Sequence, residues 1–280
     1  MTDTKIMIIA DSSADVTELC GAPFKSVPLK IITAEKEYVD DASLDVEAMV
    51  NDLASYKGRS STSCPSTGEW LDAFGGAERV FCVTITGTLS GSYNAACSAA
   101  KIYEETYPER KVFVINSLST GPECGLILEK LRDLVNEGRE FEDICEEIEQ
   151  YTKKTGLIFM LECMRNLANN GRVSPIVAKM AGLLGIRVVA KASDRGDIET
   201  LGKCRGEDKA LDEIVKYMEK MGVRRGKVRI AHCFNEGAAG KLCERLTKTF
   251  PEVKIQICPS RGLCSFYAEK GGLLIGFEKE

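Results

Sequence analysis

The stretch that most constrains the fold is residues 80–98, VFCVTITGTLSGSYNAACS. Its first six residues are mainly apolar or β-branched, which is typical of a strand buried on both faces. A turn of Thr, Ser and Gly residues follows, and small or apolar residues then recur at helical spacing from Ala95. The stretch therefore predicts a strand, a tight turn and a helix. Hydroxyl groups and free backbone N–H groups at a helix N-terminus favour an anionic ligand.

Ser90, in this turn, also has a structural interpretation. Ser and Thr cap helices routinely, and the turn taken alone fits a helix cap better than a ligand contact. A second hydroxylic stretch, RSSTSCPS, lies upstream. Within it Ser66 and Glu69 have capping-box spacing, which predicts a structural role for Ser66. Thr62 and Ser63 have no such role, and they remain candidate ligand contacts.

Two further predicted strands also end in small polar turns. Residues 5–10 lead into Asp-Ser-Ser-Ala-Asp, and residues 111–115 lead into Asn-Ser-Leu-Ser-Thr-Gly. Strands that alternate with helices in this way are typical of an open, mainly parallel α/β sheet whose functional loops share one edge. We also expect a strand over residues 26–33. Helices are expected over residues 45–55, 125–137 and 141–153.

The pattern changes near residue 154, and we expect two domains. Residues 1–154 form an α/β domain that carries the polar turns, and residues 155–280 form an α+β domain. The second domain is predicted to contain a hairpin of residues 187–191 and 198–204, helices over 207–221 and 236–249, and strands near 227–233, 253–258 and 272–277. A stripe at helical spacing fits a core better than a ligand pocket; it comprises Met164, Leu167, Ile176, Val177, Met180, Leu183, Leu184 and Ile186.

Composition excludes several classes of function. The net charge is −5 and no dense Lys/Arg tract occurs, so a nucleic-acid partner is not expected. No apolar run is long enough to span a membrane, and the first residues lead into a predicted strand rather than a cleavable signal. We therefore expect a cytoplasmic protein without stable membrane insertion.

Metal and redox sites are not expected either. The 12 cysteines include no C-x-x-C pair, and the chain has a single histidine. We expect these cysteines to be reduced and to act as small buried hydrophobes. Asp11 and Asp15 could ligate a metal, but helix capping and loop hydrogen bonds fit them better, because no third acidic residue or histidine lies nearby in sequence.

Five motifs in order along the chain resemble those of the DegV family of bacterial fatty-acid-binding proteins. They are Asp11-Ser12-Ser13-Ala14-Asp15, Thr62-Ser63-Cys64-Pro65-Ser66, Leu89-Ser90-Gly91-Ser92-Tyr93, Asn170-Gly171-Arg172-Val173-Ser174 and Lys203-Cys204-Arg205-Gly206. Each motif is weakly specific, whereas five in the right order over 280 residues are strongly specific.

The resemblance implies two domains with one long-chain fatty acid, such as palmitate, stearate or oleate, held between them and no cofactor. It assigns the carboxylate contacts to Thr62 and Ser90, and the adjoining Ser63 and Gly91 complete the predicted carboxylate loops. The chain would occupy an apolar tunnel. In better-studied members of the family the protein is not itself the catalyst. It presents the acyl carboxylate to a separate fatty acid kinase for phospholipid synthesis, so that kinase is the implied partner.

The sequence departs from the family pattern at one place. The family usually ends with a segment like H-x-G-P-G whose His lies near the carboxylate, and Tyr267 takes that position here. A tyrosine hydroxyl can donate a hydrogen bond but carries no positive charge at neutral pH. Arg205 is the main basic candidate; it would line the mouth of the site or contact the partner, or else pair with Glu207 or Asp208.

An enzyme is the competing hypothesis, either a small-molecule hydrolase or a phosphotransferase that uses the Ser/Thr loops. A serine hydrolase needs a base beside its nucleophile. The chain has no G-x-S-x-G and no P-loop, and His232, which ends a predicted strand, fits a satisfied structural residue better than a base. The sequence therefore favours a non-enzymatic lipid-binding protein.

Overall fold

The computed structural model describes residues 5–181 and 185–280. Up to residue 154 its elements are β1 (Ile6–Asp11), β2 (Phe24–Val27), β3 (Lys30–Ile32), β4 (Glu37–Val39), α1 (Val46–Ser55), β5 (Ser61–Ser63), α2 (Thr67–Phe74), β6 (Arg79–Thr84), α3 (Ser92–Thr106), β7 (Lys111–Asn116), α4 (Pro122–Asn136) and α5 (Phe141–Thr152). A 3₁₀ turn, Ser12–Ala14, follows β1. The later elements are β8 (Thr155–Leu161), α6 (Arg165–Asn169), α7 (Pro175–Ala181), β9 (Ile186–Ala192), β10 (Ile198–Arg205), α8 (Glu207–Lys220), β11 (Arg225–His232), α9 (Glu236–Thr249), β12 (Glu252–Pro259), α10 (Gly262–Ala268) and β13 (Leu273–Glu278).

The first sheet is parallel and is covered by helices on both faces. Its strands have the order β2-β1-β6-β7. Neighbouring residues of β1 point to opposite faces, as in any strand. Ile8 packs with residues of α4 and α5, whereas Ile9 packs with Trp70 and Phe74 of α2. The predicted open, mainly parallel α/β sheet is confirmed.

The polar turns after β1, β6 and β7 lie at one edge of this sheet, because the three strands are parallel neighbours. Asp11 connects two of the turns. Its Oδ2 accepts hydrogen bonds from the Ile85 N–H (3.0 Å) and the Ser92 hydroxyl (2.6 Å), and its Oδ1 accepts one from the Ser13 hydroxyl (2.5 Å). Burial raises the pKa of Asp11, while these hydrogen bonds act in the opposite direction. The role in loop hydrogen bonding that the sequence favours for Asp11 is confirmed.

The prediction of one strand over residues 26–33 is wrong. The chain forms β2 up to Val27 and a separate strand, β3, from Lys30. Pro28 lies between them, and its missing N–H interrupts a strand ladder. The strand β3 joins a small antiparallel sheet of order β4-β3-β5, in which Ile31 lies opposite Thr62. This second sheet brings the RSSTSCPS stretch to the edge that carries the polar turns.

The larger sheet contains the strands from Thr155 onward, in the order β10-β9-β8-β13-β11-β12. Its pairs are antiparallel except for β11 with β12. Helices α8 and α9 cover one face with a large apolar core. The predicted hairpin is confirmed as β9 and β10, and the turn Ser193–Gly196 closes it with the Gly196 N–H bonded to the Ser193 carbonyl (2.9 Å). The domain boundary at residues 154 and 155 stays a prediction.

The predicted apolar stripe has mixed surroundings. Met164 and Leu167 are buried, but Ile176 is 76% exposed. Leu183, Leu184 and the side chain of Met180 lie outside the described residues.

No helix in the described ranges is long and apolar enough to cross a membrane. The cysteines are free; Cys82, Cys124, Cys204, Cys233 and Cys264 are buried, whereas Cys20 is exposed, contrary to the expectation that the cysteines are buried.

Candidate functional site

A cavity of about 310 Å³ lies between the polar edge of the first sheet and one face of the larger sheet. Leu157, Phe159 and Leu161 of β8 line it together, because alternate residues of a strand share a face. Leu274 of β13 and Ile198 of β10 extend this apolar wall. The turns after β6 and β7 supply the opposite wall. A mainly apolar cavity with a few polar groups is typical of a small-molecule site.

Thr62 and Tyr267 meet at one place on the cavity wall. The Thr62 Oγ1 and the Tyr267 Oη lie 2.8 Å apart, and either hydroxyl could be the donor. Thr62 comes from β5 and Tyr267 from α10, 205 residues further along the chain. Burial raises the pKa of Tyr267, so its hydroxyl keeps its proton at neutral pH. The pair therefore presents two neutral hydroxyls to the cavity.

Ser90 and Gly91 also line the cavity, in the turn between β6 and α3. The Ser90 Oγ accepts a hydrogen bond from the Ser92 N–H (3.3 Å). Gly91, not Ser90, is the N-cap residue of α3, so the helix-cap interpretation of Ser90 is wrong. A hydroxyl that accepts one hydrogen bond still has its own proton to donate. Ser90 can therefore bond the Ser92 N–H at the start of α3 and contact an anion at the same time.

The remaining residues of the RSSTSCPS stretch divide between the cavity and structure. Ser63 and Cys64 line the cavity. A Cβ added at Gly91 would lie 3.2 Å from the Cys64 Sγ, so the two hydroxylic stretches are in close contact. Ser66 forms a complete capping box with Glu69 at the start of α2, which confirms its predicted structural role.

Arg172 is a cavity residue that the sequence interpretation missed. Its guanidinium carbon lies 5.9 Å from the centre of the Tyr267 ring. Its Nε donates to the Leu89 carbonyl (3.2 Å), and its Nη1 donates to the Asn170 carbonyl. These bonds hold a positive charge next to Tyr267 and the Leu89–Ser90 turn. The Asn-Gly-Arg motif is the sequence signal for Arg172, whereas the sequence alone favours Arg205 as the main basic candidate.

Arg205 lies elsewhere. It is exposed at the end of β10 and borders a separate surface depression rather than the cavity. Among the described residues Arg205 makes no ion pair with Glu207 or Asp208, which pair with Lys241 and Arg245. Its contact with a partner stays a prediction.

His232 ends β11 as predicted and does not line the cavity. Burial lowers its pKa, and its Nδ1 has no hydrogen-bond partner among the described residues. The expectation that this histidine is satisfied is therefore wrong.

The expectation that the stripe of Met and Leu residues belongs to the core needs a second correction besides the exposed Ile176, because Leu167 lines the cavity. The described residues contain no group of three or more His, Cys, Asp or Glu side chains that could hold a metal ion.

The chain is similar to a set of known proteins over nearly its whole length. The model of the DegV family of uncharacterised proteins matches residues 5–280. A DegV domain-containing protein of Streptococcus pneumoniae is 46% identical over 275 residues, which are 97% of this chain and 98% of that protein.

Two solved structures are also similar. A DegV family protein from Eubacterium eligens loaded with heptadecanoic acid is 42% identical, with a TM-score of 0.96 over 98% of this chain and 100% of that one. The Streptococcus pneumoniae Fatty Acid Kinase (Fak) B3 protein loaded with linoleic acid is 44% identical, with a TM-score of 0.96 over 99% of this chain and 100% of that one. This chain belongs to the DegV family.

Proposed function

We propose that this chain is a non-enzymatic binding protein for one long-chain fatty acid. The observation that carries the proposal is a cavity that has hydroxyl groups, an arginine and a helix N-terminus at one place and apolar side chains along β8. The heptadecanoic and linoleic acids in two structures at 42% and 44% identity support the same class of ligand.

The carboxylate would bind between Thr62, Ser90 and Tyr267, with Ser63 and Gly91 adjoining. Burying an ionised carboxylate costs several kcal/mol unless hydrogen-bond donors replace its water. Ser90 and one hydroxyl of the Thr62–Tyr267 pair can donate to it, because the other hydroxyl of the pair donates within the pair. Hydrogen bonds to a charged acceptor are the stronger kind. Arg172, which lies against the Tyr267 ring, supplies the nearby positive charge.

The acyl chain would extend along the apolar wall that β8 and β13 form. Removing a methylene group from water contributes about 0.8 kcal/mol, so a common long chain contributes on the order of 10 kcal/mol before the costs of binding. The free energy gained by burying the acyl chain exceeds the cost of burying the carboxylate. Burial of the acyl chain, rather than an ion pair, is therefore the main source of affinity in this proposal.

We further propose that the bound carboxylate is presented to a fatty acid kinase. The support is the 44% identity to the Fatty Acid Kinase (Fak) B3 protein.

A hydrolase or phosphotransferase is not supported. The bond that the Ser90 Oγ makes among the described residues is to the Ser92 N–H, and His232 does not line the cavity. The cytoplasmic location stays a prediction.

The proposal is tested by extracting the purified protein under denaturing conditions and analysing the extract by mass spectrometry. A long-chain fatty acid should be released in near-stoichiometric amount, and stripped protein should bind added palmitate, stearate or oleate in a titration. An extract without acid, together with no binding of the three added acids, would refute the proposal.

The site assignment is tested with the double variant Thr62→Val and Ser90→Ala. It should weaken acyl binding by at least tenfold, because the Ser90 donor and the hydrogen bond that holds Tyr267 at Thr62 are both lost. Ser98→Ala is the matched control, since its hydroxyl bonds within α3 and does not line the cavity. Equal affinity of the double variant and the control would refute the assignment but not the ligand class.

A further inference from the structure

The short helix α10 supplies a large part of the cavity wall. Leu263, Cys264, Tyr267 and Ala268 all line the cavity, and Tyr267 reaches Thr62. The helix has seven residues. A helix of this length has little stability of its own, so its position depends on the groups that hold its ends.

Two carboxylates from the beginning of the chain hold the N-terminus of α10. The Asp40 Oδ1 accepts the Gly262 N–H and its Oδ2 accepts the Leu263 N–H, each at 2.9 Å. The Asp15 Oδ1 accepts the Arg261 N–H at 3.0 Å. Both carboxylates thus bind backbone groups of α10 more than 200 residues away.

Asp40 packs closely against the start of α10. Asp40 is 1% exposed, and a Cβ added at Gly262 would lie 2.5 Å from the Asp40 Oδ1 and 2.6 Å from a methyl of Leu44. The Arg261 side chain donates to the Asp41 carbonyl at 2.6 Å, which holds the same end of the helix from outside. The start of α10 is therefore fixed to the loops of the first 41 residues.

We infer that Asp40 and Asp15 are positioning residues for the cavity: they hold α10 where Tyr267 meets Thr62, and they thereby limit how fast the bound acid dissociates. Neither aspartate lines the cavity, so both act through α10. The inference rests on the proposed function and extends it to two residues outside the cavity. Their distance from the ligand distinguishes them from Thr62 and Ser90.

The first experiment measures the dissociation rate of cis-parinaric acid, a fluorescent fatty acid, when excess oleate displaces it from the stripped protein. Asp40→Asn should raise this rate by about tenfold. The side-chain NH2 of asparagine would replace one of the two carboxylate oxygens, and this donor cannot accept the backbone N–H of α10 that it faces. The matched control is Asp45→Asn. Asp45 also caps a helix, α1, through the Ala48 N–H (2.9 Å), but this helix does not line the cavity.

A double-variant cycle separates positioning from general stability. In the Tyr267→Phe background, Asp40→Asn should change the dissociation rate by less than half the factor seen in wild type, whereas its effect on the melting temperature should be unchanged. Equal factors in both backgrounds, or a rate in Asp40→Asn equal to that in Asp45→Asn, would overturn the inference.

A hydrogen-exchange measurement on the wild-type protein tests the inference even if Asp40→Asn does not fold. Palmitate should slow hydrogen exchange of the Gly262 and Leu263 amides by at least tenfold more than that of the Ala48 amide, because the acid and the two bonds stabilise the same position of α10. Equal slowing at the three amides would overturn the inference. If no fatty acid binds to the wild type, the proposed function itself fails, which is a different result from binding with unchanged exchange.

Discussion

At the scale of single residues, the proposed site has Tyr267 and Arg172 where the family resemblance implies a histidine. A protonated histidine combines a hydrogen-bond donor and a positive charge in one ring. In the proposed site a neutral hydroxyl of the Thr62–Tyr267 pair would be the donor, and the charge is on Arg172, whose guanidinium carbon lies 5.9 Å from the centre of the Tyr267 ring. The charge on arginine does not titrate near neutral pH. Acyl binding should therefore depend less on pH than binding that relies on a histidine.

Arg172 gives the first prediction. Arg172→Gln should weaken fatty-acid binding by about 10- to 100-fold, because hydrogen bonds and charge near an anion are worth about 1.5–3 kcal/mol. Arg205→Gln, which changes an exposed arginine outside the cavity, is the matched control and should leave the affinity within twofold. Titration with palmitate measures both. A larger effect of Arg205→Gln than of Arg172→Gln would contradict the placement of the charge.

Asp15 gives a second prediction, on pH. Burial, and then the nearby Asp40, raise the pKa of Asp15 to about 7, far above the ordinary value of 3.8. A carboxyl whose pKa is raised by folding stabilises the fold when it is protonated, and this contribution is lost as the pH rises from about 4 through 7. Asp15→Asn mimics the protonated form, and asparagine tolerates the left-handed backbone at this position (φ 56°).

The free energy of unfolding should therefore fall more steeply with pH in wild type than in Asp15→Asn. The difference between the two slopes can reach about 1.4 kcal/mol per pH unit between pH 5 and 7. Urea unfolding at pH 5, 6, 7 and 8 measures it. Parallel curves for the two proteins would show that Asp15 is ionised throughout this range.

At the scale of the elements, predictability depended on length and on apolar periodicity. The strand β6 and the helix α3 could be predicted because a run of six mainly apolar residues and a 15-residue helix have clear periods. The strand β5, with the sequence STS, has no such signal, and it forms a strand because β3 lies beside it. Tyr267 could be chosen only from the family resemblance, since nothing local indicates that α10 reaches Thr62.

The hairpin of β9 and β10 gives a prediction at this scale. Its Gly196 lines the cavity, has a φ of +80°, and has no room for a Cβ against the Thr86 Oγ1. The Thr88 hydroxyl also donates to the Arg195 carbonyl at 2.6 Å, so the hairpin turn is hydrogen-bonded to the loop after β6. Gly196→Ala should destabilise the protein by about 1–3 kcal/mol, because it combines backbone strain with overpacking.

The same variant should also release the fatty acid faster, since the displaced turn opens the cavity wall. Gly202→Ala, in β10 of the same hairpin, is the control, because nothing lies within 4 Å of its added Cβ. Thermal unfolding and the dissociation rate of cis-parinaric acid measure the two effects. A Gly196→Ala protein with the stability and rate of Gly202→Ala would contradict this role of the turn.

At the scale of the whole molecule, the cavity is a gap in the packing between two sheets. Leu157, Phe159 and Leu161 belong to an apolar core on this face of the larger sheet, yet they also face the cavity. A sequence can indicate that such residues are apolar, but it cannot show whether a protein side chain or a ligand covers them. The stripe therefore predicts a core position for Leu167, although this residue lines the cavity.

An acid that fills this gap should stabilise both sheets together. A ligand that binds only the folded state adds RT ln(1 + [L]/Kd), which is about 2.7 kcal/mol at a free concentration of 100 times Kd. For a chain of this size that corresponds to a rise in melting temperature of roughly 5–10 °C. The rise should grow with the logarithm of the palmitate concentration. The variant carrying Thr62→Val and Ser90→Ala should show a smaller rise at the same concentration because its Kd is higher. A melting temperature of the stripped wild type that does not change with palmitate would mean that the acid does not occupy the space between the sheets.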